Sequence, residues 1–330
     1  MKSTVLDVRN LRTYFHTPRG VVKAVDDVSF NLVQGERFGL VGESGSGKTT
    51  VALSLLRMIK PPGQIEGGQV LLDGQDILQL SDEEMRRVRL AGIALVTQGA
   101  MNALNPVIRV REQLSDGIKD HEGRLSREGM EARVQELLAG VDLNPEVADM
   151  YAHQLSGGMK QRVCIAIGIS MRPKVIIADE PTSALDVVVQ RRVMETLRRA
   201  QEEVGAAVIL VGHDMGLMAQ FVDRMAVMYA GKLVEVSPVN NVFKEPMHPY
   251  TELLIDSVPT LTEKDVLKGI KGSMPSMLEL PSGCVFNPRC PYSDESCVSQ
   301  KQETTEIVAG RWVACHKIDA IRNLNPTVGI

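Results

Sequence analysis

Residues 42–49 read GESGSGKT. The stretch matches G-x-x-x-x-G-K-[ST], with Gly42, Gly47, Lys48 and Thr49 at the fixed positions. A short apolar run, RFGLV, precedes it and a helical pattern, TTVALSLLRMI, follows. In that strand–loop–helix setting the motif has a mechanism. Glycines let successive backbone N–H groups converge on phosphates, and the following helix points the positive end of its dipole at the same anion. Lys48 is placed to reach the β- and γ-phosphates and Thr49 to ligate Mg²⁺, with Glu43, Ser44, Gly45, Ser46 and Thr50 completing the loop.

Working outward, VLDVRNL and VDDVSFNL alternate apolar and polar residues, as half-buried antiparallel strands do. KVIIAD and AAVILVG read as buried strands separated by the amphipathic helix VVVQRRVMETLRRAQEEVG. Ser81 and Glu84 form a capping-box signal for a further helix. This order predicts an α/β fold, a P-loop NTPase core with an antiparallel β subdomain. Residues from about 99 to 158 are mainly helical and polar, a helical subdomain. From about Ser237 the chain turns Pro-rich, so the boundary is placed after residue 236, giving a nucleotide-binding domain over 1–236 and an extension over 237–330.

The bulk composition fits an ordinary globular chain of 330 residues, 44% hydrophobic and 24% charged. A formal net charge of -4 leaves no basic footprint for a nucleic-acid partner. The N-terminal MKSTVLDVRNLRTYF lacks an apolar h-region and a small-residue cleavage site. The longest apolar runs fall far short of the roughly 20 residues of a membrane span. A cytoplasmic chain is the expectation, with any membrane attachment made through other subunits.

KVIIADEPTSALD places Asp179 at the end of a buried strand, where it would hold the Mg²⁺ shell, and Glu180 next to it as general base for the attacking water. LSGGMKQR sets Ser156, Gly157 and Gly158 at the start of a helix, a second anion-binding geometry. Two such geometries in one chain make sense if two chains face each other and each completes the other's nucleotide pocket. Gln98 and His213 end strands where a γ-phosphate sensor would sit.

In order, GESGSGKT, Gln98, LSGGMKQR, VIIADE, SALD (183–186) and His213 resemble the ATP-binding subunits of ABC transporters over roughly residues 5–235. The resemblance implies two subunits sandwiching two ATP molecules, each between one chain's phosphate loop and the partner's LSGG. It adds Asp186 to the site, and an aromatic stacked on adenine, Phe15 with Tyr14 as the alternative. Gly212 stands where the family often carries Thr, which implies altered loop flexibility with the chemistry of His213 retained. QGAMNALNPV (98–107) and EPMHPYTELLIDSVP (245–259) resemble the dipeptide, oligopeptide and nickel importer branch. That implies uptake of di- or oligopeptides from the cytoplasmic face of the cell membrane. The partners would be a second ATPase subunit (a copy or a paralogue), two transmembrane permeases and an extracellular solute-binding protein. Oligosaccharide or nickel import is the alternative. A soluble ABC ATPase of DNA repair or translation is opposed by the H-P-Y segment and by the lack of a coiled-coil insertion.

Four of the five cysteines, Cys284, Cys290, Cys297 and Cys315, cluster in the extension with spacing C-x5-C-x6-C-x17-C. Disulfides are disfavoured in a reducing cytosol, and no C-x2–4-C zinc knuckle occurs. Iron–sulfur ligand spacings vary widely, so a [4Fe–4S] cluster fits, with zinc or free thiols as alternatives. The importer ATPases resembled here carry such a cluster in this extension. Cys164, in RVCIAIGI, reads as a buried core residue.

Overall fold

The computed structural model describes residues 3–97, 103–123, 125–258 and 269–318. In chain order, strands β1 (Thr4–Thr17), β2 (Gly20–Val33) and β3 (Arg37–Val41) precede helix α1 (Lys48–Leu55). Strands β4 (Gly63–Leu72) and β5 (Gln75–Asp76), helix α2 (Asp82–Val88) and strand β6 (Ile93–Val96) follow. Next come helices α3 (Val110–Glu122), α4 (Arg127–Gly140) and α5 (Gly157–Ile169). Strand β7 (Val175–Asp179), helix α6 (Val187–Val204) and strand β8 (Ala207–Gly212) continue the chain. Then helix α7 (Met215–Phe221) leads to strands β9 (Arg224–Tyr229) and β10 (Lys232–Pro238). The tail adds helices α8 (Val239–Lys244), α9 (Pro249–Asp256) and α10 (Glu295–Ser299), then strands β11 (Thr305–Val308) and β12 (Arg311–Val313).

These elements divide into two compact units built from separated segments: Met1–Asp7, Asn31–Arg37 and Leu71–Leu210 form one, and Val8–Phe30, Phe38–Val70 and Val211–Ile330 the other. In the first unit β6 and β7 pair in parallel, with Leu95 opposite Ile177. Every residue of β7 is buried, the near-continuous apolar run of a strand covered on both faces. Helix α6 buries Val193, Met194, Leu197 and Ala200 on one face and ends at Gly205 in the left-handed conformation. Helix α2 begins with the anticipated capping box: Ser81 accepts from the Glu84 N–H while the Glu84 carboxylate accepts from the Ser81 N–H. The helical segment between β6 and β7 is tied by Arg111, which donates to Glu131 and Asp149. These pairs lie at or near the surface and each contributes little to stability.

Strands β1 and β2, most of whose residues belong to the second unit, alternate buried and exposed residues and are joined by a two-residue turn, as the sequence pattern requires of an antiparallel pair. Strand β3 pairs in parallel with β9, placing Leu40 opposite Ala226. β9 and β10 form a tight hairpin whose two turn residues, Ala230 and Gly231, both have positive φ (46° and 84°), the two-residue turn that matches strand twist. The tail's β12 then pairs with β10, Glu235 opposite Val313, and β11 adds to its outer edge. Ladder bonds therefore join the Cys-bearing tail to the strand that precedes it. Among the described residues no helix is long and apolar enough to cross a membrane.

Candidate nucleotide site and thiol pocket

The phosphate loop lies in the second unit between β3 and α1. Gly42 and Gly47 have φ of +151° and +107°, and a Cβ on either would stand 2.1 Å from a backbone oxygen, that of Met228 or Ala24. Backbone on two sides thus forces glycine at both motif positions. The β9–β10 turn braces the loop, the Gly231 N–H donating to Ser46 O at 2.9 Å. Lys48, only 5% exposed, folds along the loop and donates to Gly42 O and Glu43 O, each at 2.8 Å. Helix α1 starts at Gly47 with no side-chain cap and no acidic residue in its first turn. An N-terminus of that kind favours an anion. Thr49 and Thr50 sit in that turn, Thr50 O accepting from Ser54 Oγ, which also bonds Thr13.

The two aromatic candidates separate. Tyr14 donates its hydroxyl to Asp26 at 2.6 Å, and burial with that carboxylate pushes its pKa up. Phe15 is half-buried, its ring edge close enough to Gly63 that a Cβ there would meet it at 2.6 Å. Phe15 keeps the apolar character a base-stacking platform needs. His213 is exposed just after β8, and Asp214 caps α7 by accepting from the Leu217 N–H. Gly212 has a local reason: a Cβ there would come 3.0 Å from Met218 Cε, so Met218 occupies the space of a larger neighbour.

In the first unit Asp179 ends β7 and is buried. Glu180 has φ +43°, rare for a residue with a side chain, and its carbonyl accepts from the N–H and hydroxyl of Ser183. Ser156 caps α5 by accepting from the Met159 N–H, leaving a helix start without acidic residues. Gly158 abuts α6, where a Cβ would lie 2.5 Å from Val189 Cγ1, and Gly157 faces Leu185 at 3.0 Å. Asp186 caps α6, accepting from the Val188 and Val189 N–H groups. Gln98 lies outside the described residues.

The four tail cysteines converge. Cys284, Cys290, Cys297 and Cys315 line one small cavity with His248, Phe286 and Tyr292. All are free thiols, and burial pushes Cys290 and Cys315 up to about 11. The Cys284 N–H donates to Cys297 O, and Asp294, paired with Lys317, caps α10 so that Cys297 is held inward. Four sulfur atoms around one cavity are soft donors that a metal could draw on. A mixed set, Asp294, Cys297 and His316, also has its donor atoms within 4.8 Å of one another, the arrangement zinc would draw on.

Sequence reasoning missed the links between tail and loop. The H-P-Y segment is a helix start: His248 Nδ1 accepts from the Tyr250 N–H, and Pro249 occupies the first turn of α9. Burial lowers the His248 pKa to about 3, so the ring is neutral as that acceptor role requires. The buried Tyr250 hydroxyl accepts from the Glu43 N–H at 2.9 Å. Arg289 grips the Glu43 carboxylate with two hydrogen bonds, at 2.7 and 3.0 Å. The contacts span more than 200 residues of sequence, and no local pattern signals them.

Comparison with known proteins agrees with these features. Residues 25–183 match the ABC transporter family model, and residues 234–297 match the oligopeptide/dipeptide transporter C-terminal region. A peptide import ATP-binding protein of Brucella melitensis is 45% identical over 94% of this chain and 94% of its own length. The dipeptide transport ATP-binding protein DppD of Haemophilus influenzae is 41% identical over 94% of this chain and 95% of its own. The oligopeptide transport ATP-binding protein OppD of Escherichia coli is 41% identical over 95% and 93%. The chain belongs to the ABC transporter family. Its ATPase fold is shared with the ATP-binding cassette MJ0796, solved as a dimer in a post-hydrolysis state with ADP and Pi. The TM-score is 0.64 at 29% identity, covering 71% of this chain and 98% of that one. CbiO1 of Clostridium perfringens, part of the ABC transporter complex cbiONQ, aligns with a TM-score of 0.62 at 27% identity over 73% and 91%. This ABC ATPase combines the phosphate loop with an H-P-Y tail in one chain.

Proposed function

We propose that this ABC ATPase powers import of di- or oligopeptides. It would sit at the cytoplasmic face of the cell membrane with a second ATPase subunit, two permeases and an extracellular binding protein. The observation that carries the reading is similarity over 94–95% of the chain to proteins named for peptide, dipeptide and oligopeptide transport. A division after residue 236 into ATPase module and extension is supported by separate matches over residues 25–183 and 234–297.

In this reading the loop N–H groups, Lys48 and the start of α1 bind the ATP phosphates, and Phe15 stacks on adenine. Thr49, Asp179 and Gln98 would hold Mg²⁺, which when bound neutralises phosphate charge. The fit rests on a hydroxyl in the first turn of α1 and a buried carboxylate at the end of β7. Glu180 takes the proton of the attacking water, and His213 and Gln98 hold the γ-phosphate geometry. Ser156, Gly157 and Gly158 contact the nucleotide bound by the partner subunit, with Asp186 at the adjoining helix start. Cys284, Cys290, Cys297 and Cys315 would ligate the iron–sulfur cluster, whose contribution is to cross-link loops poor in regular structure.

Glu180→Gln should abolish ATP turnover while ATP binding persists, measured by phosphate release and by a fluorescent ATP analogue. Turnover at the wild-type rate would remove Glu180 as the base. In cells, the same variant should stop uptake of labelled dipeptide; continued peptide uptake with loss of nickel uptake would redirect the substrate class.

A further inference from the structure

Glu43 is the one carboxylate in the phosphate loop, placed in a segment built to receive an anion. A bare carboxylate there would repel bound phosphates, since like charges a few ångströms apart oppose each other. The carboxylate is not bare. Arg289 meets it through both terminal nitrogens, and the Arg289 side chain is only 4% exposed. The guanidinium is itself fixed, donating from Nη1 to the Tyr229 hydroxyl at 3.3 Å and from Nε to Lys271 O at 3.0 Å. A planar fork held on several sides fixes position as well as charge.

Arg289 is also next in the chain to a residue that lines the thiol pocket, Cys290. It ends the 3-10 turn Asn287–Arg289 directly before Cys290, and Asn287 Nδ2 donates to Cys284 O at 2.7 Å. Phe286 lines the thiol cavity and packs edge-on against Tyr229, with ring centroids 5.1 Å apart, and against Tyr250 at 5.3 Å. Tyr250 is the acceptor for the Glu43 N–H. Two routes, Arg289 to the carboxylate and Phe286–Tyr250 to the backbone, therefore run from the cysteine-bearing turn to one loop residue.

We infer that Arg289 is a positioning residue for the phosphate loop: it neutralises and orients Glu43, so that order in the thiol pocket and ATP binding reinforce each other. The inference rests on the reading that this loop binds ATP. Such a coupling acts equally in both directions. A pocket that holds Arg289 favours nucleotide, and bound nucleotide stiffens the pocket.

The test uses the full chain and a fluorescent ATP analogue. Arg289→Met should weaken binding about tenfold, within the usual range of coupling between sites. Adding Glu43→Gln to that variant should restore most of the affinity, because the second change removes the stranded carboxylate. A purely structural loss would not be rescued by a further substitution. Arg289→Met within twofold of wild type, or no recovery in the double variant, would overturn the inference. Should Arg289→Met fail to unfold cooperatively, the wild-type chain still decides. MgATP should slow backbone amide hydrogen exchange over residues 284–290 at least about threefold, and an unchanged rate would sink the proposal. Failure of the wild type to bind the analogue would instead reject the nucleotide reading itself.

Discussion

At the scale of single residues, the five cysteines show what burial can and cannot decide. Burial pushes Cys164 up to about 12 and Cys290 and Cys315 to about 11, so protonation alone does not separate them. Their neighbours do. Cys164 sits on α5 in an apolar run, whereas the other four share one cavity in which a single cation can offset the cost of several thiolates. Anaerobically purified chain should therefore show broad visible absorbance that Cys315→Ser removes and Cys164→Ala leaves intact. Colourless wild type with bound zinc would move the assignment to the mixed Asp294, Cys297 and His316 set. The clustering was legible because cysteine is scarce and its spacing unusual. The Glu43–Arg289 pair was not, since an Arg and a Glu separated by 246 positions look like any two surface charges until the fold buries the Arg side chain against the Glu.

Among the elements, legibility tracks the range of the interaction. The capping box of α2, the alternation of β1 and β2 and the apolar run of β7 are set by neighbours within a few residues, and each appears where the pattern places it. Joining β12 to β10 is a tertiary choice made by burial and free ladder positions, and Arg311–Val313 carries no local mark of it. Asp186 shows the same limit. Its place in SALD resembles a nucleotide contact, yet its carboxylate caps α6 through Val188 and Val189. Two substitutions separate the roles. Asp186→Ala should cost about 1 kcal/mol of stability, the usual value of a lost N-cap, whereas Asp186→Asn keeps a capping oxygen and should melt near wild type. If Asp186→Asn also keeps full ATPase activity, capping is its whole contribution; reduced turnover at wild-type stability would keep it in the site.

For the molecule as a whole, the open question is how the anion-binding helix starts are shared. The start of α1 lies in the second unit and that of α5 in the first, each free of acidic residues in its first turn. In the proposed arrangement each ATP would meet α1 of one chain and Ser156 of the other, and no chain would complete its own site. Mixing two inactive variants tests that directly. Lys48→Ala disables every phosphate loop it supplies, and Ser156→Arg places a bulky cation at every LSGG start it supplies. Each homodimer then has two damaged sites. A mixed dimer collects both lesions in one site and leaves the other wild type, so activity should reappear on mixing. Random pairing puts half the dimers in the mixed form with one of two sites intact, which predicts about a quarter of wild-type turnover if the sites act independently. Recovery should depend on the mixing ratio and peak near equal amounts. If ATP were instead bound wholly within one chain, mixing would restore nothing at any ratio. A wild-type chain that stays monomeric with MgATP and idle in the mixture would point to a paralogous ATPase as the second half of the site.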